Sequence, residues 1–135
     1  MIDNNTIQIA VCGAHMRELP LNVQLINLNA IYVRNTTTAP YYKLFALNGF
    51  VPPRPGLIRV AQGGYAIDCE IWQMPIENYG KFVASVPIPL GFGTIELADG
   101  SAVQGFLCEA YATQHALDIS HFGGWRAYIS ANSED

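Results

Sequence analysis

Apolar and polar residues trade places at every second position along several short stretches of this chain, and glycine or proline ends most of them. Thr6–Cys12 sets Ile7, Ile9 and Val11 against Gln8 and Ala10. Tyr65–Met74 sets Tyr65, Ile67, Cys69 and Ile71 against Asp68, Glu70 and Trp72. A period of two is that of a strand, because successive side chains point to opposite faces. Ala30–Thr37, Tyr41–Leu47, Leu57–Ala61, Thr94–Leu97 and Ala102–Glu109 read as further strands, the last two joined at Asp99-Gly100, a hairpin signal. Asn48–Gly56 and Pro87–Gly93 are stiffened by proline and bent by glycine, so both read as rigid loops. Short helices fit between. Pro20-Leu21-Asn22 opens one, with Leu21, Leu25 and Leu28 on one face. A second, Ile76–Val86 behind Pro75, turns Ile76, Tyr79 and Val83 inward, and Tyr111–Ala116 is a possible third. The last runs from an N-cap at Ser120 to Ile129, with Gly123-Gly124 allowing close packing on the sheet and Trp125 filling the core. Six or seven short strands with a few helices predict an α+β fold: a small mixed β-barrel, closed or nearly so, with short helices on its flank.

At 135 residues the chain reads as one domain, 1–135. Half of it is hydrophobic and 13% is charged, which excludes a disordered chain. Seven Lys and Arg against eleven Asp and Glu leave a net charge of −4 and no basic patch. The expected partners therefore include no nucleic acid and no membrane. No apolar run approaches the ~20 residues that span a bilayer. The opening Met1–Asn5 lacks the features of a signal peptide, so the expected location is cytoplasmic. The tail Ser133-Glu134-Asp135 is expected to fray. Cys12, Cys69 and Cys108 are odd in number and widely spaced, which fits buried small hydrophobes better than disulfides or a metal clip. His115 and His121 have no evident ligand partners. No metal and no cofactor are expected.

Three groups of residues are candidates for chemistry. Gly13-Ala14-His15 follows the first strand, where turn amides and the next helix can face an anion. His15 then either exchanges a proton at that edge or fills the turn by bonding backbone. Asp68 and Glu70 share a strand face and can form an acid–base pair, or else belong to a solvated face. Arg17, Arg34, Arg54 and Arg59 lie near loops where each can grip a carboxylate or simply meet solvent; Arg54 is held stiff by Pro53 and Pro55. The chain has no Gly-x-Ser-x-Gly elbow, no phosphate loop and no His-Glu-x-x-His.

Longer motifs then point to a family. Val11-Cys12-Gly13-Ala14-His15-Met16, Leu19-Pro20-Leu21-Asn22, Thr38–Leu44 and Pro53-Arg54-Pro55-Gly56-Leu57 resemble the C-terminal domain of allophanate hydrolases. So do Glu70-Ile71-Trp72, Pro87–Thr94, Gly105–Glu109 and Phe122–Tyr128, and the resemblance spans nearly the whole chain. It implies a γ-glutamyl cyclotransferase-like fold, with Cys12–His15 in the place of the turn that binds carboxylate in cyclotransferases. Those enzymes use a glutamate just after the mid-chain helix. Here that stretch, Val86–Leu90, has no acid, which speaks against cyclotransferase chemistry.

In full-length allophanate hydrolases an amidase region acts first on allophanate. The resemblance implies for the C-terminal domain the decarboxylation of the resulting N-carboxycarbamate to carbamate and CO2, with His15 as the catalytic residue. This chain lacks amidase machinery, so the expected partners are a small carboxylated substrate and a separate amidase. The expected binding set is Gly13, Ala14, Arg17, Tyr42, Arg54, Glu70, Pro87 and Leu90. Amides at Ala14 and His15, with an arginine, hold the retained carboxylate; Tyr42, Pro87 and Leu90 wall off the departing one; protonated His15 is the general acid. The open alternatives are a non-catalytic module that binds a carboxylate or docks on an amidase, and another amide-processing reaction in the same pocket.

Overall fold

The computed structural model describes residues 5–132, so the tail Ser133-Glu134-Asp135 lies outside the described residues. The chain runs through β1 (Thr6–Val11), α1 (Asn22–Asn27), β2 (Ile31–Thr37), β3 (Tyr42–Ala46), β4 (Pro55–Arg59) and β5 (Asp68–Pro75). It continues through α2 (Ile76–Ala84), β6 (Leu90–Glu96), β7 (Ala102–Cys108), β8 (Leu117–Asp118) and α3 (Trp125–Ala131). β1 sits mid-sheet because both of its faces are apolar: Ile9, Ala10 and Val11 are all buried. The main sheet has the order β2-β5-β1-β7-β6, and a smaller one the order β4-β3-β8. β1 pairs with β7 in parallel and with β5 antiparallel.

The outer strands of the main sheet meet past their ends. Thr38 bridges Leu97, the Ala39 N–H donates to the Glu96 carbonyl at 2.9 Å, and the Ala98 N–H donates to the Thr37 carbonyl at 3.0 Å. That contact draws the sheet round into a nearly closed barrel. The small sheet joins it through mutual hydrogen bonds between Tyr42 and Tyr65, and through Gly56, where an added Cβ would lie 2.7 Å from the Cys108 sulfur. Tyr42, Leu44, Ile67, Ile71 and Ile119 are among the fully buried side chains between the layers. Among the described residues no helix is long and apolar enough to cross a membrane.

The α+β barrel with short flanking helices agrees with the expectation, but several elements do not. α2 turns Tyr79 and Phe82 toward the core, with Val86 just past its end, while Ile76 is 50% exposed and Val83 37%. Both stripes have helical spacing; the aromatic one wins because Phe82 meets the rings of Phe92 and Phe106. The expected helix from Ser120 is cut in two. A 3₁₀ turn, Ser120–Phe122, ends at Gly123 with φ of +85°, and α3 starts only after Gly124. The glycines thus break the helix rather than carry it through. Tyr111–Ala116 holds only the end of a 3₁₀ turn, Ala110–Thr113, and is followed by the unexpected β8. β6 begins already at Leu90, inside the stretch read as a rigid loop, because β7 supplies a pairing partner along its whole length.

Candidate functional site

After β1 the chain turns sharply, and the turn is held from the α1 side by its carbonyls. The Gly13 carbonyl accepts from the Met16 N–H at 3.1 Å and the Ala14 carbonyl from the Leu21 N–H at 2.9 Å. The Asn22 side-chain amide donates to the His15 carbonyl at 2.8 Å. In a trans peptide the N–H points opposite to its carbonyl. Fixing the Gly13 and Ala14 carbonyls therefore turns the N–H groups of Ala14 and His15 away from the helix. Among the described residues, the N–H groups of Gly13, Ala14 and His15 have no hydrogen-bond acceptor. Successive unpaired amides of this kind make an anion-binding concavity.

Gly13 is required by packing. A Cβ there would lie 2.5 Å from Cδ of Pro55, so the turn and the Pro53-Arg54-Pro55 loop are pressed together. Cys12, Gly13, Ala14, His15, Arg54, Leu57, Leu90 and Phe106 line the resulting cup with Pro55, and its free space is only about 20 Å³. That is room for about one water molecule.

His15 is 8% exposed. Its ring stacks on Phe106 and makes a T-shaped contact with Phe82, and its Nε2 donates to Oε1 of Gln24 at 2.8 Å. Burial, reinforced by the Arg54 charge and only partly offset by Gln24, lowers its pKa to about 4. The imidazole of the free protein is therefore neutral near pH 7, so a general-acid role requires it to gain a proton when a ligand binds. Arg54 lies over the Phe50 ring and donates from Nε to the Pro52 carbonyl at 3.3 Å. Burial lowers its pKa, but a guanidinium stays charged in a protein. Among the described residues no carboxylate pairs with it.

The structure thus gathers Gly13, Ala14, His15, Arg54 and Leu90, and leaves the other expected residues outside the cup. Tyr42 is wholly buried in the core, where its hydroxyl accepts the Glu96 N–H at 3.0 Å. Pro87 is exposed and does not line the cup. Glu70 and Arg17 belong to a separate ionic cluster. Glu70 is 2% exposed, so its strand face is shut off from solvent at this position, though not at Asp68. One of its oxygens accepts the Arg17 N–H at 2.9 Å and the Trp72 indole N–H at 3.0 Å, and the other accepts Arg126 at 3.0 Å and Arg17 Nε at 3.4 Å. Desolvation would raise this carboxyl, but these donors prevail and hold it below its ordinary range. Arg17 also stacks 3.9 Å from the Tyr32 ring centroid. Asp68 is exposed while Glu70 is held by the two arginines, and both carboxylates line, with Arg126, a cavity of about 200 Å³ separate from the His15 cup. Arg34 pairs with Asp99 and Arg59 with Glu96.

Gln24, Asn22, Phe82 and Phe106 were not expected at the site. Gln24 precedes the buried Leu25 on a short helix and reads in sequence as a solvent position. The cysteines are free and buried, and burial pushes the Cys12 and Cys69 thiols up to about 12. Among the described residues no three His, Cys, Asp or Glu gather to hold a metal ion.

Comparison with known proteins places this geometry. Residues 7–130 match the family model described as allophanate hydrolase C-terminal domain. The chain is 43% identical to the urea amidolyase of Saccharomyces cerevisiae over 131 residues, covering 93% of this chain but only 7% of that protein. It superposes on Kluyveromyces lactis allophanate hydrolase with a TM-score of 0.91 at 41% identity, covering 96% of this chain and 22% of the other. A solved protein described as specific to uropathogenic E. coli is 38% identical, with a TM-score of 0.87, and is covered over 98% of its length. A γ-glutamyl cyclotransferase shares the fold at 10% identity and a TM-score of 0.56, covering 84% of this chain and 69% of that one. The chain belongs to the allophanate hydrolase C-terminal domain family.

Proposed function

We propose that the His15 cup binds a small carboxylate and decarboxylates N-carboxycarbamate to carbamate and CO2, in urea and allophanate metabolism and alongside an amidase carried by another chain or region. The names of the relatives, urea amidolyase and allophanate hydrolase, support that setting. One observation carries the site assignment: unpaired amides at Gly13, Ala14 and His15 share a pocket with a guanidinium that has no carboxylate partner among the described residues. Convergent donors of this kind suit an anion.

The neutral imidazole suits this role. A dianion entering beside Arg54 offsets the positive charge that, after burial, disfavours the imidazolium. His15 then takes up a proton on binding. As the C–N bond to the departing carboxylate breaks, its electron pair passes to nitrogen, CO2 leaves, and the imidazolium proton lands on that nitrogen to give carbamate. Arg54 and the turn amides hold the retained carboxylate, while Leu90 and Phe106 face the other group with apolar surface. The substrate is larger than the free space, so the Arg54 loop or the Leu90 and Phe106 side chains must draw back to admit it.

The test is CO2 release from N-carboxycarbamate generated in place by an amidase. His15→Ala is expected to lower the contribution of this chain about 10²–10⁴-fold, the usual worth of a general acid. Arg54→Ala is expected chiefly to raise KM. Equal rates for wild type and His15→Ala remove the enzymatic reading and leave a carboxylate-binding or docking module.

A further inference from the structure

We infer that Gln24 is a positioning residue, which reserves Nδ1 of His15 as the ring nitrogen that meets the ligand and carries the transferred proton. The inference rests on the site reading above, but it concerns the ring itself.

An imidazole offers two nitrogens, and the hydrogen bond made by one decides the tautomer presented by the other. Oε1 of Gln24 is an acceptor only. At 2.8 Å from Nε2 it keeps a proton on that atom and occupies it. One face of the ring is covered by Phe106, stacked at 4.9 Å between centroids, and Phe82 packs beside it in a T-shaped contact at 5.3 Å. Nδ1 is the remaining polar atom of the side chain. In the free protein it is an unprotonated acceptor, and the proton taken up with an anionic ligand goes there.

α1 is fixed to the turn by the Leu21 N–H and the Asn22 side chain, so Gln24 reaches the ring from an anchored helix. Among the described residues, the other titratable or charged groups lining the cup are Arg54 and the Cys12 thiol; α2 and β7 bring the apolar rings of Phe82 and Phe106 against the imidazole. Gln24 is thus the polar side chain that directly grips His15.

Nitrogen-15 spectra of the imidazoles test this on the full chain, with the exposed His115 and His121 changed to Gln for assignment. Wild type is expected to show neutral His15 with hydrogen on Nε2 at pH 7. Gln24→Ala is expected to lose that preference and to lower the CO2-release rate more than tenfold with little change in KM, since Arg54 and the turn amides remain. Gln24→Glu is expected to keep the tautomer and raise the His15 midpoint by about one pH unit or more, as an adjacent opposite charge does. The limb of the pH–rate profile set by His15 should move with it, which a residue of merely structural importance would not cause. Amide spectra check that both variants fold. A wild-type ring protonated on Nδ1, or variants with unchanged tautomer and midpoint, overturns the inference. Spectra as expected together with CO2 release unaffected by His15→Ala would leave the ring assignment standing and remove only the decarboxylase reading.

Discussion

A carboxylate cut off from water has to be answered by protein donors, and Glu70 receives four contacts from Arg17, Trp72 and Arg126. Because Arg126 also donates to the Arg17 carbonyl at 2.6 Å, this one side chain ties β5, the β1–α1 turn and α3 together. Glu70→Ala is therefore expected to cost about 2–3 kcal/mol in urea unfolding, less than a wholly buried ion pair because both arginines are partly exposed. The depressed carboxyl also sets a sign. Its stabilisation is present above the unfolded carboxyl value and is lost as pH falls through the lower folded one. The difference between wild type and Glu70→Ala should accordingly shrink in strong acid. Alternation along Tyr65–Met74 is enough to put Asp68, Glu70 and Trp72 on one strand face. It does not reveal that this face is covered at Glu70, because the Arg126 that seals it there comes from another element, 56 positions along the chain.

Among the elements, the segment around Ser120 shows what capping patterns miss. Ser120 does not cap a long helix. Its hydroxyl accepts the Leu44 N–H at 2.9 Å and donates to Asp118 at 2.6 Å, clasping β3 to the end of β8. Ser120→Ala leaves a buried N–H without its acceptor and is expected to lower stability by about 1–3 kcal/mol, read as a shift in thermal unfolding. Gly124 comes equally close to β5: a Cβ there would lie 2.8 Å from Cβ of Asp68. Gly124→Ala should destabilise by about 1–3 kcal/mol, as overpacking does, although an unbroken helix at this position would gain from alanine. A stability gain measured for this variant would contradict the break between the 3₁₀ turn and α3. Glycine pairs mark a special backbone position in any reading. Whether they allow close packing or end the helix depends on what stands opposite, here Asp68.

For the whole molecule, acid is the informative perturbant. His15 is neutral and buried in the fold, with its pKa lowered to about 4. The unfolded chain binds a proton below about pH 6.5 that the fold refuses. Stability should thus decline from about pH 6.5 toward pH 4, by up to about 3 kcal/mol from this residue alone, measured as denaturation midpoints across a pH series. A flat profile in that window would contradict the burial of the ring. Most strands and the Gly13-Ala14-His15 turn were legible in the chain itself, because alternation, glycine and β-branching act over a few neighbouring residues, whereas the proline-rich stretches read as loops gave up Pro55-Gly56 to β4 and Leu90–Gly93 to β6. So was the family, through motifs spread over nearly the full length. Assembly was not legible in the same way. Tyr42 entered the core rather than the cup, Pro87 stayed in solvent, Arg17 and Glu70 joined a separate cluster, and Gln24 arrived beside His15. Those outcomes follow from the near-closure of the barrel at Thr38 and Leu97 and from the packing of helices on it. Such contacts join distant residues, whereas local pattern reports only how each segment folds and which of its faces is apolar.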